Sequence, residues 1–268
     1  MIEPLMLAAL IADDFKRILG RDLTGVYVHG SLAFGGCRRE NTDLDILAVT
    51  EREPARAEKE SMLFSVLEHE KDAPGKGIEL TVVTAPSCKL YKHPGEYCLR
   101  YSAKNRYEAT REAAAFVERS RGTDPVLAIH YTVCRTSGLT MLGIPAKQLF
   151  AGVSEADFID GIRCLMEDLE GDIRKAPAAT ILHFCRCLAF AEGGVLCSKS
   201  QGGRWALVNT EDREQELIHE ALLAHWAGEE MEVPDDIELF LIHMRGRIKA
   251  ALDERMEMET KPETEKNA

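Results

Sequence analysis

The sequence predicts an α+β chain: an amino-terminal part in which helices flank a small mixed β-sheet, then an all-α helical bundle. Three observations predict it. Before Phe150-Ala151-Gly152, short strand-like runs alternate with helical patterns. After it, every periodic segment is helical. The 268 residues, 45% hydrophobic, suffice for one large domain or two modest ones with a sizeable core.

Taken in order, residues 4–19 carry Leu5, Leu7, Leu10, Ile11, Phe15 and Ile18 at helical spacing. Residues 25–29 read as a strand ending at Gly30. Residues 43–50 read as a second, in which Leu44, Ile46 and Ala48 alternate with Asp43, Asp45 and Leu47. Residues 54–70 are expected to be helical, and Gly75 and Gly77 mark a loop. Residues 78–84 form a third strand, with Ile78, Leu80 and Val82 on one face and Glu79, Thr81 and Val83 on the other. Helices are expected at 107–119 and 125–137, and a short edge strand at 140–143. The second part reads as helices over 155–173, 178–192, 211–227 and 235–254, the last opened by Pro234-Asp235. The run from Cys197 to Gly203, ending in two glycines, reads as a flexible loop. Expected domains are 1–151 and 152–254, and the Lys/Glu/Thr-rich stretch 255–268 reads as a disordered tail.

The net charge of −12 argues against a sequence-independent nucleic-acid binder, which needs a basic face. An acidic surface suits a cationic small molecule, and equally serves solubility. No stretch approaches the roughly 20 apolar residues of a membrane span. Met1-Ile2-Glu3-Pro4 lacks the pattern of a signal peptide, so a cytoplasmic location is expected. The eight cysteines show no zinc-ligand spacing and read as reduced, mostly packed thiols. Trp205 and Trp226 read as core or cleft-wall residues, core being favoured, and His29 and His183 as packed or hydrogen-bonded ones. No heptad pattern is present, so a monomer is expected.

The chemistry-bearing residues fall in a telling order. Gly30-Ser31 follows a strand; Asp43 and Asp45 open the next; Glu79 lies near the start of the third. A Gly-Ser pair alone marks a turn, but a glycine there permits close phosphate approach, and Ser31 can donate to a phosphate oxygen. Asp43 and Asp45 project to one side of their strand. Their mutual repulsion, about 3 kcal/mol at about 5 Å with an effective dielectric near 20, is relieved by bound Mg2+, which prefers carboxylate and phosphate oxygens. Alone, Asp-x-Asp is equally a solvated strand face, and Glu79 an exposed strand residue. Adjacent to Asp43 and Asp45, Glu79 could coordinate metal or take a proton from an attacking hydroxyl. In the helical part Arg186 interrupts an apolar stripe, and Lys199 lies in the glycine-ended loop; alone, each reads as a solvated cation, and together they would neutralise a triphosphate. The acids of residues 155–172, Glu167 and Asp172 among them, cannot all face one way; those facing inward would pair with ammonium groups of an acceptor.

Together these residues resemble the DNA-polymerase-β-like nucleotidyltransferase superfamily, and within it the aminoglycoside adenylyltransferases of the streptomycin/spectinomycin type. The resemblance extends over most of residues 20–230. It is carried by Val28-His29-Gly30-Ser31, Asp43-Leu44-Asp45-Ile46-Leu47, Glu79-Leu80-Thr81-Val82-Val83, Leu182-His183-Phe184-Cys185-Arg186, and Ser198-Lys199 through Trp205-Ala206. It implies a catalytic nucleotidyltransferase domain followed by a helical domain, with ATP and drug in the cleft between them. Gly30 and Ser31 match the phosphate-binding turn, and Asp43 and Asp45 the Mg2+ ligands. Glu79 matches the carboxylate assigned as general base, a third candidate metal ligand. Arg186 and Lys199 match basic residues holding ATP phosphates, and Asp172 an acidic drug-binding position. The sequence departs from the family in the acceptor half. Glu167 stands where streptomycin-modifying members carry tryptophan; a second acid is replaced near Ala176 and a histidine near Ala179; and residues 93–102 lack the usual tryptophan. The resemblance thus implies Mg2+- and ATP-dependent adenylyl transfer to a hydroxyl of a small cationic acceptor, an aminoglycoside or aminocyclitol, with spectinomycin favoured over streptomycin. Transfer to a protein or another small molecule, and nucleotide binding without catalysis, are the alternatives.

Overall fold

A computed structural model of the chain describes residues 2–35 and 42–260. The chain divides into two compact units, residues 1–153 and 154–268.

The first unit opens with α1 (Pro4–Leu19), whose proline occupies the first turn, where no backbone donor is missed. Its buried face is Leu7, Ala8, Ile11, Ala12, Phe15 and Leu19. The sheet follows: β1 (Leu23–Val28), β2 (Leu44–Thr50), β3 (Ile78–Thr84), β5 (Leu99–Tyr101) and β7 (Leu139–Gly143), in the order β5-β3-β2-β1-β7. β2 and β3 run parallel and all other pairs antiparallel, so the sheet is mixed. The parallel pair requires a crossover, which α3 (Arg56–His69) supplies. A separate two-stranded ribbon joins β4 (Gly95–Tyr97) to β6 (Gly122–Asp124).

Both faces of the sheet are covered. Val26, Val28, Leu44, Ile46, Ile78 and Leu80 pack on α1 and α3. Tyr27, Leu47, Val49 and Val83 pack on residues of α7 (Leu127–Ser137) and α8 (Ala146–Leu149). The register of β3 has an anchor outside the ladder. Glu70, 7% exposed, accepts the Ile78 amide at 3.2 Å and the Tyr101 hydroxyl at 2.8 Å, tying the strand start to α3's end and to β5.

The second unit is helical: α9 (Glu155–Glu170), α10 (Pro177–Gly193), α11 (Lys199–Leu207), α12 (Asp212–Ala227) and α13 (Ile237–Thr260). α10 is apolar nearly all round and packs against α9, α11, α12 and α13. A helix so enclosed is a bundle core rather than a surface helix.

Several expectations need correction. The helix expected over 107–119 is two: α5 (Arg106–Arg111) and α6 (Ala113–Arg119), parted at Glu112, whose φ of −133° and ψ of 44° leave the helical well. The alanine-rich run holds no glycine or proline to mark that break. The loop expected at Cys197–Gly203 is mostly α11, opened by a capping box between Ser198 and Gln201. Its glycines serve close packing rather than flexibility. A Cβ on Gly202 would come within 2.7 Å of the Arg186 Cα, and one on Gly203 within 2.7 Å of Leu182 Cδ2. α13 continues past Glu254 to Thr260, into the stretch expected to be a tail; residues 261–268 lie outside the described residues. Trp226, expected in the core, is 68% exposed. The described cysteines are free, and all but Cys164 are buried; Cys37 lies outside the described residues. Among the described residues no helix is long and apolar enough to cross a membrane.

Candidate active site

β1 ends at Val28, and the chain turns at once into the short helix α2 (Gly30–Ala33). The His29 amide donates to the Asp45 carbonyl at 3.1 Å, so the turn stays attached to β2. Gly30 is required there twice over. Its φ is +64°, and a Cβ would sit 1.9 Å from Asp45 Oδ2. The turn therefore lies directly on the carboxylate.

A second attachment lies one residue on. Ser31 Oγ and Thr42 Oγ1 are 2.5 Å apart, and Thr42 Oγ1 also donates to the Asp43 carbonyl at 3.0 Å. Thr42 is 1% exposed. One buried hydroxyl thus joins the Gly-Ser turn to Asp43, the residue just before β2. Thr42 belongs to no motif of its own; its position just before Asp-Leu-Asp is the one local signal for it.

The parallel ladder pairs Leu44 with Ile78 and Asp45 with Glu79. Adjacent strands lie about 4.8 Å apart, and residues in register point to the same face. Asp45 and Glu79 therefore stand side by side at the starts of β2 and β3. Residues deeper on that face, Leu47, Val49, Thr81 and Val83, are buried, whereas Asp43 and Asp45 are half-buried and Glu79 is exposed. The acids occupy the mouth of this face.

Among the described residues no three His, Cys, Asp or Glu side chains stand close enough as placed to hold a metal ion. The donor chemistry nevertheless fits magnesium. That ion takes one or two carboxylates and completes its shell with water and substrate phosphates. The acids here are hard oxygen donors, beside a glycine turn whose close approach to Asp45 leaves no space for a Cβ.

His29 backs the turn. It is 5% exposed, and its ring centroid lies 4.8 Å from that of His130 on α7. Burial pushes its pKa down to about 4, partly countered by the charge of Asp43. At neutral pH it is an uncharged packing residue, as the sequence suggested. Behind Asp45 lies Cys134, whose thiol burial holds well above its usual range, with Cys88 and Asp45 adding to the shift.

The candidate residues of the second unit form their own arrangement. α10 exposes a narrow stripe that includes Ala179, His183, Arg186 and Phe190, each half-buried. Arg186 Nη2 donates to His183 Nδ1 at 2.8 Å. Lys199 is the first residue of α11, not a loop residue, and lies one turn before Gly202, which presses on the Arg186 backbone. Both cations thus belong to one helix pair, Lys199 at the positive end of a helix dipole. Glu167 is exposed on α9, and Asp172 follows that helix with its carboxylate 3.3 Å from Lys175 Nζ. Other acids of α9 are already engaged: Glu155 pairs with Arg255 and Glu170 with Arg245 of α13. They are structural ion pairs rather than groups waiting for an acceptor.

In sequence and fold the chain is similar to known adenylyltransferases. Residues 148–250 match the family model described as aminoglycoside adenylyltransferase, C-terminal domain. An aminoglycoside (3'')(9) adenylyltransferase of Escherichia coli is 24% identical over 247 residues, covering 87% of this chain and 90% of that one. A spectinomycin 9-adenylyltransferase of Staphylococcus aureus is 24% identical over 196 residues, covering 72% of this chain and 74% of that one. Among solved structures, the spectinomycin adenyltransferase AAD(9) from Enterococcus faecialis with ATP and spectinomycin superposes with a TM-score of 0.78 at 19% identity, covering 88% of this chain and 96% of that one. At that identity the likeness is one of fold.

Proposed function

We propose that this chain, an enzyme akin in sequence and fold to the aminoglycoside adenylyltransferases, moves AMP from ATP to a hydroxyl of an aminoglycoside or aminocyclitol antibiotic and so confers resistance. The observation that carries the reading is the pairing of Asp45 with Glu79 across a parallel ladder, under a glycine turn that rests on Asp45.

In this reading Gly30 and Ser31 cradle a phosphate with backbone amides and a hydroxyl. Asp43 and Asp45, with Glu79 as a third donor, hold Mg2+, which when bound neutralises phosphate charge and polarises the α-phosphorus. Glu79 removes the proton from the acceptor hydroxyl. That oxygen forms a bond to the α-phosphorus as the bond to pyrophosphate breaks, and pyrophosphate leaves with the electron pair. The exposure of Glu79 suits a base that must meet a diffusing substrate. Arg186 and Lys199 hold the phosphates and offset charge on the departing pyrophosphate. Asp172 and Glu167 attract the ammonium groups of the acceptor. Spectinomycin is favoured over streptomycin, because Glu167 replaces the tryptophan expected of a streptomycin site.

The test is pyrophosphate release from ATP and Mg2+ against a panel containing spectinomycin, streptomycin and other aminoglycosides, with mass spectrometry of the product. Acceptor-dependent release with a mass gain of one AMP on spectinomycin is expected. Release that no member of the panel stimulates, or radiolabel from ATP appearing on protein in a cell lysate, would overturn the antibiotic assignment.

A further inference from the structure

The guanidinium of Arg186 is held differently from most in its unit. In the same unit Arg163, Arg174, Arg213, Arg245, Arg247 and Arg255 each end on a carboxylate. Such a partner fixes the side chain and cancels its charge. Arg186 instead donates to His183 Nδ1 at 2.8 Å, three residues earlier on α10. An arginine can only donate, so Nδ1 accepts and the ring is neutral with its proton on Nε2. The contact restrains a flexible side chain while leaving its full positive charge for an anion.

The other end of the residue is fixed as well. Gly202 leaves no room for a Cβ against the Arg186 backbone, so α11 pins the residue at its Cα while His183 restrains its tip. His183 and Arg186 share the half-buried stripe of a helix that is otherwise apolar and enclosed.

We infer that His183 is a positioning residue for nucleotide binding: as a neutral acceptor on α10 it orients the Arg186 guanidinium toward the phosphates of ATP without neutralising it. This rests on the proposed assignment of Arg186 to the ATP phosphates. A guanidinium so restrained surrenders less rotamer freedom when the anion arrives.

The test uses the full chain and direct calorimetric titration with Mg·ATP, without acceptor. The variants are His183→Ala, His183→Asn, His183→Gln, Arg186→Ala and the double variant His183→Ala/Arg186→Ala. Asparagine carries an acceptor oxygen near the place of Nδ1; glutamine carries it near Nε2. His183→Ala is expected to raise the Kd for ATP about tenfold, the scale of one hydrogen bond to a charged group. His183→Asn should restore it to within about twofold, His183→Gln should not, and the double variant should bind no more weakly than Arg186→Ala alone. In turnover assays the KM for ATP should rise in His183→Ala while that for the acceptor stays put. Should the alanine variant fold poorly, the Asn/Gln contrast decides, since both retain a polar side chain of similar bulk. If Arg186→Ala weakens ATP binding but the His183 variants match wild type, or if the two effects add, positioning by His183 is wrong. If Arg186→Ala itself binds ATP as wild type does, the assignment of Arg186 to the phosphates fails, and the role of His183 fails with it.

Discussion

Replacing Gly30 with alanine tests the site at its tightest point. Two costs are expected. The first is backbone: a non-glycine residue at a φ of +64° loses about 1–2 kcal/mol. The second is steric. The new Cβ would lie 1.9 Å from Asp45 Oδ2, far inside van der Waals contact, so the Asp45 side chain must leave its rotamer. That adds roughly 0.5–1.5 kcal/mol. The sum, about 1.5–3.5 kcal/mol, lowers the melting temperature by roughly 3–14 °C. Activity should suffer far more than stability, because the displaced group is a proposed metal ligand; a fall in kcat/KM of about a hundredfold or more is expected. Gly194→Ala is the control. Its φ is +67°, but its Cβ would meet nothing closer than Arg255 Nη1 at 3.6 Å, so it carries comparable strain without touching a candidate site residue. Scanning calorimetry and pyrophosphate release should therefore show two destabilised proteins of which one remains active. Wild-type turnover by Gly30→Ala would refute the claim that the turn must rest on Asp45.

Further outcomes follow from the same geometry. Glu79→Gln should bind Mg·ATP like the parent protein yet lose about 100- to 10,000-fold in turnover, whereas Asp43→Asn should lose Mg-dependent ATP binding itself; calorimetric titration beside pyrophosphate release separates the two. Thr42→Val removes the hydroxyl shared by Ser31 and the Asp43 carbonyl, and denaturant melts should show a loss of about 1–3 kcal/mol, with ATP binding weakened as well. His29 makes stability depend on pH. Its folded pKa of about 4 lies below the ordinary value of 6.5, so the unfolded chain takes up the proton first as pH falls. Its contribution is fully present above 6.5 and is lost by pH 4, an upper limit of about 3 kcal/mol; urea unfolding across that range should slope less steeply for His29→Gln than for wild type.

What the sequence made legible was periodicity and order. The strand over 78–84 and the helix over 4–19 were read with the bounds they have, because apolar residues recur cleanly in both. The Asp45–Glu79 neighbourhood depends on strand order and register, which are non-local; the sequence could only make it conditional on those strands being adjacent. α11 is hidden in the sequence because two glycines outweigh a legible capping signal: a local rule about flexibility masks a tertiary demand for close approach. The exposure of Trp226 has the converse reason, since a tryptophan at helical spacing says nothing about whether a neighbouring element covers it. Thr42 has only its place before Asp-Leu-Asp to mark it, and His183 has no special local pattern; their partners, an Oγ eleven positions away and a guanidinium one turn on, emerge only from coordinates.

The anchor at Glu70 carries a lesson about vulnerability. A strand that slips by one residue turns every side chain over; here such a slip would send the proposed base toward α1 and α3 and bring a leucine up in its place. Two hydrogen bonds to a single hidden carboxylate guard against that error. Drift at position 70, or a codon gained or lost in the short connection that follows it, could silence the enzyme while every residue of its catalytic inventory survived unaltered.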